Sequence, residues 1–328
     1  MTVHRRDFIT ILGGAAAAWP LAARAQQQAL PVIGYLGLST PEAQASTTAG
    51  LRKGLGEVGY VESRNAAIEF LWAESQFERF PALAVDLVRR GVNVIFTSSP
   101  SAVRAIMAAS ATTPVVFIMG EDPVAEGLVP SLNRPGGNVT GISDFSNRLA
   151  GKRLGLLRDT VPKGTLFAAL VRSSHPNAAS DIKDVQAAAH AVGLDLRVLT
   201  ADNEHEIDMA FATMSQLRVG ALFVNIDPFF TERREQLAAL AARYTLPAIY
   251  PLREFAIAGG LMSYSADRAE TARQAGIYVG RILRGEKAAS LPVLQSAKFE
   301  FLINLKTAKA LGLEMPSGVL AIADEVIE

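Results

Sequence analysis

Short runs of apolar residues alternate along this chain with longer segments that are apolar on one side only. The runs predict buried strands, and the longer segments, with apolar residues three or four positions apart, predict amphipathic helices. In the first half of the chain the predicted strands are 32–36, 67–72, 92–97 and 114–119, and the predicted helices are 43–58, 77–90 and 101–111. Strands and helices in this order are typical of right-handed βαβ units and a parallel sheet.

The same alternation restarts after a turn rich in proline and glycine at 134–138. The pattern then predicts a long helix over 147–161, strands at 166–171, 194–199, 221–226 and 248–250, and helices at 178–192, 204–217 and 231–244. A strand at 261–264 and a helix at 268–283 fit either series. A chain of 328 residues exceeds the size of a usual single core, so we predict an α/β protein with two lobes.

The start of the chain has the pattern of an export signal. Adjacent Arg5 and Arg6 precede an apolar stretch, 9–23, that ends in Ala-Arg-Ala, a pattern that a signal peptidase cuts. The stretch is shorter than the ~20 residues that span a bilayer. Phe8, two positions after the arginine pair, is typical of a twin-arginine signal. We predict a signal peptide over 1–25 and a periplasmic protein; the alternative is a buried or transmembrane helix.

The amino-acid composition excludes several classes of function. The chain has 32 basic and 32 acidic residues, so it lacks the positive charge typical of proteins that bind nucleic acid or anionic lipid. It has no cysteine, which excludes disulfides, iron–sulfur clusters, thiol catalysis, cysteine-ligated zinc and a lipid-modified cysteine. We expect no cofactor, no nucleic-acid partner, no membrane insertion of the mature chain, and a monomer.

The sequence lacks most of the motifs that are typical of catalytic sites. The segment 54–59 matches G-x-G-x-x-G, but it ends a predicted helix, whereas the dinucleotide motif joins a strand to the start of a helix. The sequence has no P-loop and no G-x-S-x-G motif. His190 and His205 lie in predicted helices without the spacing of a metal site. His175 follows a predicted strand, which leaves an exported α/β hydrolase as an alternative.

Polar residues follow the predicted strands of the first series, at the edge where open α/β sheets bind ligands. Thr97, Ser98 and Ser99 end a strand and open a helix, where hydroxyls and free amides suit a carboxylate. The alternative is a simple helix N-cap. Asp122 follows the next strand in the same way.

The second series carries a carboxylate in a comparable position. Asp227 follows an apolar strand and suits a ligand ammonium. Phe229 or Phe230 beside it suits an apolar group of the ligand, and one of the two belongs to the core. Tyr250 ends a later strand in the same manner.

Four stretches resemble those of a known family. They are GYVESRNAAIEFLWAE (59–74), EDPVAEGLVPSLNRPGGNVTGIS (121–143), DPFFTERREQLAALAARYTLPAIYPLREFAIAGGLMSY (227–264) and INLKTAKALGLEMP (303–316). From about residue 31 to residue 328 the chain resembles the ABC-transporter substrate-binding proteins, a family whose members include tryptophan- and tyrosine-binding ones.

The resemblance implies two Rossmann-like lobes with parallel sheets, joined by three crossovers, with a ligand cleft between the lobes. It places 26–146 and 259–285 in the N-terminal lobe, and 147–258 and 286–328 in the C-terminal lobe. The ligand-facing residues that it implies are Ser39, Thr40, Thr97, Ser98, Ser99, Asp122, Asn177, Asp227, Phe229, Tyr250 and Glu254.

The predicted function is that of an exported solute-binding protein, not an enzyme. It captures a small molecule, amino-acid-like or an aromatic carboxylate, by hinge closure and delivers it to an ABC permease in the inner membrane. The alternatives are the exported hydrolase and a ligand-sensing receptor for a signalling partner.

Overall fold

The N-terminal lobe is built on a parallel sheet in the computed structural model, which describes residues 30–163, 165–296 and 298–328. Its strands are β1 (Val32–Gly37), β2 (Ala67–Trp72), β3 (Val94–Thr97), β4 (Val115–Met119), β5 (Val139–Ser143) and β11 (Leu294–Gln295). Their order is β11-β5-β4-β3-β1-β2, and neighbouring strands all run parallel. The predicted signal peptide, 1–25, lies outside the described residues.

The C-terminal lobe is built on a second sheet. Its strands are β6 (Phe167–Val171), β7 (Leu196–Thr200), β8 (Ala221–Val224), β9 (Ala248–Tyr250), β10 (Met262–Ala266), β12 (Phe299–Asn304) and β13 (Glu325–Ile327). Their order is β13-β12-β10-β9-β8-β6-β7. The strands are parallel except where β12 pairs antiparallel with β10.

Helices cover both faces of each sheet. They are α1 (Ala45–Glu57), α2 (Phe80–Arg89), α3 (Pro100–Ala109), α4 (Ala150–Arg158), α5 (Ala178–Ala191), α6 (Glu204–Gln216), α7 (Pro228–Glu232), α8 (Arg234–Arg243), α9 (Arg253–Ile257), α10 (Arg268–Leu283), α11 (Leu305–Ala310) and α12 (Ser317–Leu320). In the first sheet Tyr35 packs with α1 and α10, and the next residue, Leu36, packs with α2 and α3. Because successive side chains of a strand point to opposite faces, strands buried on both sides are continuously apolar, which made them recognisable.

The chain crosses between the lobes three times within the described residues: after β5, after β10 and after β11. Two of these positions differ from those that the resemblance implied. The strand β10 pairs with β9 and β12 of the second sheet, although 259–285 was assigned to the first lobe. The strand β11 pairs with β5 of the first sheet, although 286–328 was assigned to the second. From 259–285 the helix α10 packs on the first lobe, because its small residues fit closely against α1.

Among the described strands β11, β12, β13 and β5 were not predicted. Of these four, β5 is the strand that is buried throughout. Its sequence, Val-Thr-Gly-Ile-Ser, mixes polar and apolar residues after a turn, yet all five residues are buried. A Cβ on Gly141 would lie 2.1 Å from the carbonyl oxygen of Phe117 on β4, so glycine is needed there for the strands to approach. The buried hydroxyl of Thr140 donates a hydrogen bond to the carbonyl of Leu291.

The glycines of the G-x-G-x-x-G segment have structural roles. Gly54 lies inside α1, where a Cβ would come 1.9 Å from the carbonyl oxygen of Arg273 on α10. Gly59 follows the helix with a φ of 83°, a conformation that favours glycine. The interpretation of this segment as the end of a helix is confirmed.

We expect Gly54→Ala to destabilise the N-terminal lobe by about 1–3 kcal/mol, because the added methyl group forces α1 and α10 apart. Gly56→Ala is the matched control: it lies in the same helix with open space around a Cβ, and alanine there stabilises by up to about 1 kcal/mol. Thermal unfolding of both variants checks the prediction. A Gly54→Ala protein as stable as Gly56→Ala would contradict it.

Candidate ligand-binding cleft

A cavity lies between the two lobes, at the carboxyl ends of strands from both sheets. Segments 98–101 and 118–121, at the ends of β3 and β4, line it from the first lobe. Segments 175–177 and 226–228, after β6 and β8, line it from the second. This is the edge at which open α/β sheets bind ligands.

Among the charged side chains that line this cavity, acidic ones outnumber cationic ones. Among the described residues, four carboxyl groups line it: Glu121 and Asp144 from the first lobe, and Asp181 and Asp227 from the second. The cationic side chain that the described residues place on the same wall is Arg268, at the start of α10. The cavity therefore favours a ligand with a positively charged group.

Asp227 is the N-cap of α7 and is 2% exposed. Its Oδ1 accepts a hydrogen bond of 2.7 Å from the backbone N–H of Phe229, whereas its Oδ2 is buried without a hydrogen-bond partner among the described residues. Nη1 of Arg172 lies 3.7 Å from Oδ1. Burial raises the pKa of Asp227 to about 6, although the guanidinium of Arg172 opposes this shift. The free oxygen needs a donor.

His175 lies beside Asp181 on the wall of the second lobe. Nδ1 of His175 accepts a hydrogen bond of 3.1 Å from the backbone N–H of Asn177 and lies 3.9 Å from Oδ2 of Asp181. Burial lowers the pKa of His175 to about 4, with a further contribution from Arg172, so the imidazole is neutral at pH 7. Because Nδ1 accepts from the backbone and does not donate to a carboxylate, the pair lacks the geometry of a catalytic triad.

Burial also raises the pKa of the other three carboxyl groups of the cavity. Burial raises the pKa of Asp181 to about 6, although Asn225 donates a 3.0 Å hydrogen bond to it. Burial raises the pKa of Glu121 to about 7, and neighbouring carboxyl groups add to the shift. Asp144 accepts a 2.9 Å hydrogen bond from the N–H of Ser146, and burial raises its pKa as well.

Four of the predicted ligand-facing residues line the cavity: Ser98, Ser99, Asn177 and Asp227. Ser99 is 3% exposed, and it precedes α3 without making a side-chain cap within the described chain. Asn177 precedes α5 in the second lobe.

Three predicted residues of the first lobe do not line the cavity, because each makes a local bond. The hydroxyl of Thr97 is fully buried and donates to the carbonyl of Leu36 on the neighbouring strand. Oγ1 of Thr40 accepts from the N–H of Ala43. Asp122 accepts from the N–H of Val124 and pairs with Arg148, 2.8 Å away.

Three predicted residues of the second lobe are also placed elsewhere. Phe229 is buried behind Asp227, with the guanidiniums of Arg172 and Arg233 5.3 and 5.2 Å from its ring centroid. Tyr250 is fully buried and stacks on a core phenylalanine, because its strand ends inside the lobe. Glu254 lines a neighbouring cavity.

The remaining predicted residue, Ser39, takes part in direct contact between the lobes. Its hydroxyl donates a 2.8 Å hydrogen bond to Oε1 of Glu232 at the end of α7, and the hydroxyl of Ser75 donates to the same oxygen at 2.7 Å. The ring of Phe77 meets that of His175 edge to face, with 5.3 Å between centroids. The two lobes therefore contact each other directly beside the cavity.

Sequence reasoning missed Glu121, Asp144, Asp181 and Arg268. The available signal for Glu121 is its position directly after β4, one residue before the predicted Asp122. Asp181 lies in the first turn of a helix, where a carboxylate is ordinary, so no local signal sets it apart.

The sequence also matches a known family over nearly its whole length. A sequence model described as ABC transporter substrate binding protein matches residues 38–327. The chain belongs to this family. The prediction from the resemblance is confirmed, and the chain is a substrate-binding protein, not an enzyme. The hydrolase alternative is wrong.

Relatives of this substrate-binding protein include proteins that bind aromatic amino acids. The tyrosine-binding protein of Clostridioides difficile (strain R20291) is 24% identical over 265 residues, which is 81% of this chain and 76% of that one. A crystal structure from Streptococcus pneumonia in complex with L-Trp is 25% identical, with a TM-score of 0.80 over 91% of this chain and 100% of that one.

A third relative was solved without ligand. The ligand-free, open structure of a Clostridium difficile substrate binding protein with adhesive properties is 24% identical and superposes with a TM-score of 0.66, over 91% of this chain and 99% of that one. The predicted two-lobed α/β fold is confirmed.

Substrate-binding proteins of this family are extracytoplasmic and work with a transporter. In the part of the substrate-binding protein that the structure describes, no helix has the length and apolar character to span a membrane. The same described ranges hold no group of three or more metal-ligating side chains.

Proposed function

We propose that this protein captures a small molecule bearing an amine, of the amino-acid type, and delivers it to the permease of an ABC importer. The observation that carries the proposal is the buried, unpartnered Oδ2 of Asp227 on the cavity wall, which no described residue satisfies. A buried carboxylate oxygen without a hydrogen-bond donor is costly, even though Arg172 lies near the other oxygen, and a ligand ammonium supplies the missing donor. The tyrosine and L-Trp of the relatives support an amino-acid type of ligand.

The carboxylate of an amino-acid ligand has a separate site in the cavity in this proposal. Arg268 and the segment 98–101 at the start of α3 lie in the first lobe. A guanidinium and the free amides of a helix start both stabilise a carboxylate. A zwitterion thus meets Asp227 in one lobe and Arg268 in the other, and we propose that this double contact favours closure of the hinge.

Native mass spectrometry of freshly purified protein tests the function by identifying the co-purified small molecule. We expect an amine-bearing molecule that binds unchanged, and stabilisation of the protein when that molecule is added back in a thermal-shift assay. Amino acids and their deaminated analogues form the comparison panel. A co-purified ligand without an amine, or stabilisation by the deaminated analogues alone, would overturn the proposal.

Glu232 contacts Ser39 and Ser75 of the other lobe, and none of the three residues lines the cavity. We propose that this contact stabilises the closed form. We expect Glu232→Ala to weaken binding of the identified ligand by about 1.5–3 kcal/mol, the range for hydrogen bonds to a charged group, mainly through faster dissociation. Glu235→Ala is the control, since Glu235 is exposed on α8 and pairs only with Arg234 among the described residues. Equal dissociation rates of the two variants by stopped flow would contradict this role.

We propose further that residues 1–25 direct the protein to the periplasm by the twin-arginine route. Replacing Arg5 and Arg6 together with lysine is expected to leave precursor in the cytoplasm with the leader attached, because the route reads the arginine pair. Cell fractionation and the intact mass of the product measure this. Mature protein that begins at Gln26 and still appears in the periplasm would contradict the route.

A further inference from the structure

Arg172 places a guanidinium next to Asp227 without lining the cavity itself. Arg172 directly follows β6, and Asp227 lies shortly after β8, which is the parallel neighbour of β6 in the second sheet. The two side chains therefore meet at the same edge of the sheet. The side chain of Arg172 is 15% exposed and that of Asp227 is 2% exposed. Because Arg172 is not part of the cavity wall, its guanidinium acts on Asp227 from outside the cavity.

The two side chains form an ion pair that is too long for a hydrogen bond. Nη1 of Arg172 lies 3.7 Å from Oδ1 of Asp227, whereas an N–H···O bond needs about 3.2 Å or less. Within the described chain, both Nη1 of Arg172 and Oδ2 of Asp227 are buried without a hydrogen-bond partner. Charge attraction at this distance is still strong in buried surroundings, since it falls only with the inverse of the distance. The guanidinium thus stabilises the carboxylate and leaves Oδ2 free.

Other contacts of the second lobe hold the guanidinium at this distance. Nε of Arg172 donates a 2.9 Å hydrogen bond to Oγ of Ser174, and the guanidinium carbon lies 5.3 Å from the ring centroid of Phe229. Oδ1 of Asp202 lies 4.0 Å from Nε and accepts a 2.8 Å hydrogen bond from the N–H of Ser174. All these residues belong to the same lobe as Asp227, so the arrangement does not depend on contact between the lobes.

The charges around Asp227 give Arg172 a specific part. Burial raises the pKa of Asp227 to about 6; the guanidinium of Arg172 opposes this shift, and the charge of Asp181 adds to it. The imidazole of His175 is neutral at pH 7. Within the described ranges, the other titratable groups of this region are Asp202, Glu232 and Arg233 in the second lobe and, across the cavity, Glu121, Asp144 and Arg268.

We propose that Arg172 is a positioning residue for ligand binding: it keeps the carboxyl of Asp227 ionised and leaves Oδ2 free to accept from the ligand ammonium. The inference rests on the proposed function. Without the guanidinium, the buried carboxyl takes up a proton more readily. Protonated Oδ2 then donates where the ligand also donates, and the attraction between the two charges is lost.

The pH dependence of affinity tests this role, because a purely structural loss is the same at every pH. We expect calorimetry on Arg172→Met to show that the pH below which affinity falls has risen by about 1–3 pH units, the effect of a neighbouring arginine on an aspartate. At pH 7 this corresponds to binding that is weaker by about 2- to 100-fold, with the loss shrinking as the pH rises.

Two further variants separate charge from packing. Arg172→Lys keeps the positive charge and is expected to keep the pH profile near that of the wild type, whereas Arg172→Gln is expected to behave like Arg172→Met. Arg243→Met is the matched control, since the guanidinium of Arg243 also stacks on a ring of the same lobe, 5.8 Å from the centroid of Tyr244, and does not line the cavity.

A second measurement needs no ligand. Carbon-13 NMR of protein labelled at aspartate follows the carboxyl of Asp227, whose signal is assigned by its loss in Asp227→Asn. We expect a higher titration midpoint in Arg172→Met and Arg172→Gln than in the wild type. An unchanged midpoint, or a loss of affinity that is equal at every pH, would overturn the inference and leave the proposed function standing. A co-purified ligand without an amine would end both.

Discussion

Replacing Asp227 with asparagine is expected to preserve the fold and to weaken binding of the amine-bearing ligand by about 2–5 kcal/mol, the range for truncating one side of a buried charge pair. The amide oxygen can still accept the hydrogen bond that the N–H of Phe229 donates to Oδ1. The amide nitrogen, however, replaces the free Oδ2, so a donor faces the ligand ammonium and the nearby Arg172. The contact changes from attractive to repulsive.

Calorimetry with the identified ligand and its deaminated analogue measures this effect. The loss is expected for the amine-bearing ligand and not for the analogue, because only the amine meets Asp227. Asp208→Asn serves as the control, since Asp208 is exposed on α6 and hydrogen bonds to Gln236. Equal losses for both ligands, or unchanged affinity for both, would move the amine site away from Asp227.

Replacing Arg153 with methionine is expected to lower the stability of the whole protein by about 2–6 kcal/mol, since it leaves one buried and one partly buried carbonyl group without this donor at about 1–3 kcal/mol each. Arg153 is 1% exposed. Its Nε donates to the carbonyl of Tyr264 at 3.0 Å, and its Nη2 donates to the carbonyl of Ser146 at 2.9 Å. Ser146 follows the first crossing between the lobes and Tyr264 precedes the second, so one side chain joins both crossings.

The buried position of Arg153 disfavours its charged form. Burial lowers its pKa to about 10, and the nearby Asp144 opposes this shift. The guanidinium stays charged at neutral pH and keeps both hydrogen bonds. Thermal unfolding of Arg153→Met against Arg158→Met, an exposed arginine on the same helix that pairs with Asp159, measures the loss. Melting temperatures within about one degree of each other would refute this role at the hinge.

Most strands that the local pattern predicted lie inside a sheet and are buried on both faces, whereas the edge strands Ala67–Trp72 and Leu196–Thr200 were predicted although they are only partly buried. The run Val115–Met119 is apolar throughout and was predicted, whereas the adjoining strand Val139–Ser143 was missed. The threonine, glycine and serine of that strand fit against particular neighbours, as Gly141 does against Phe117. Such contacts cannot be read from the local sequence pattern. The strand Met262–Ala266 likewise belongs to the second sheet because it pairs with β9 and β12, which the sequence of the strand itself does not reveal.

Side-chain direction at the strand ends separates the predicted residues that line the cavity from those that do not. Thr97 and Ser98 are neighbours with similar hydroxyls, yet the first bonds to the adjoining strand and the second faces the cavity. Asp227 lines the cavity as predicted, because it directly follows an apolar strand whose carboxyl end lies at the cleft, and it also caps α7. Glu121 and Asp181 were not predicted, since each is ordinary in its own segment and only the arrangement of the two lobes places both on one cavity.

The sequence by itself determined the α/β class, the two lobes, the family and the carboxylate at Asp227, because each depends on local periodicity or on a contiguous motif. Only the tertiary structure decided which strand ends face the cleft, where the chain crosses between the lobes, and that Glu121 and Asp181 face a common space. The physical reason is that these features arise from contacts between residues far apart in the chain, and from side-chain directions that packing of the two lobes sets.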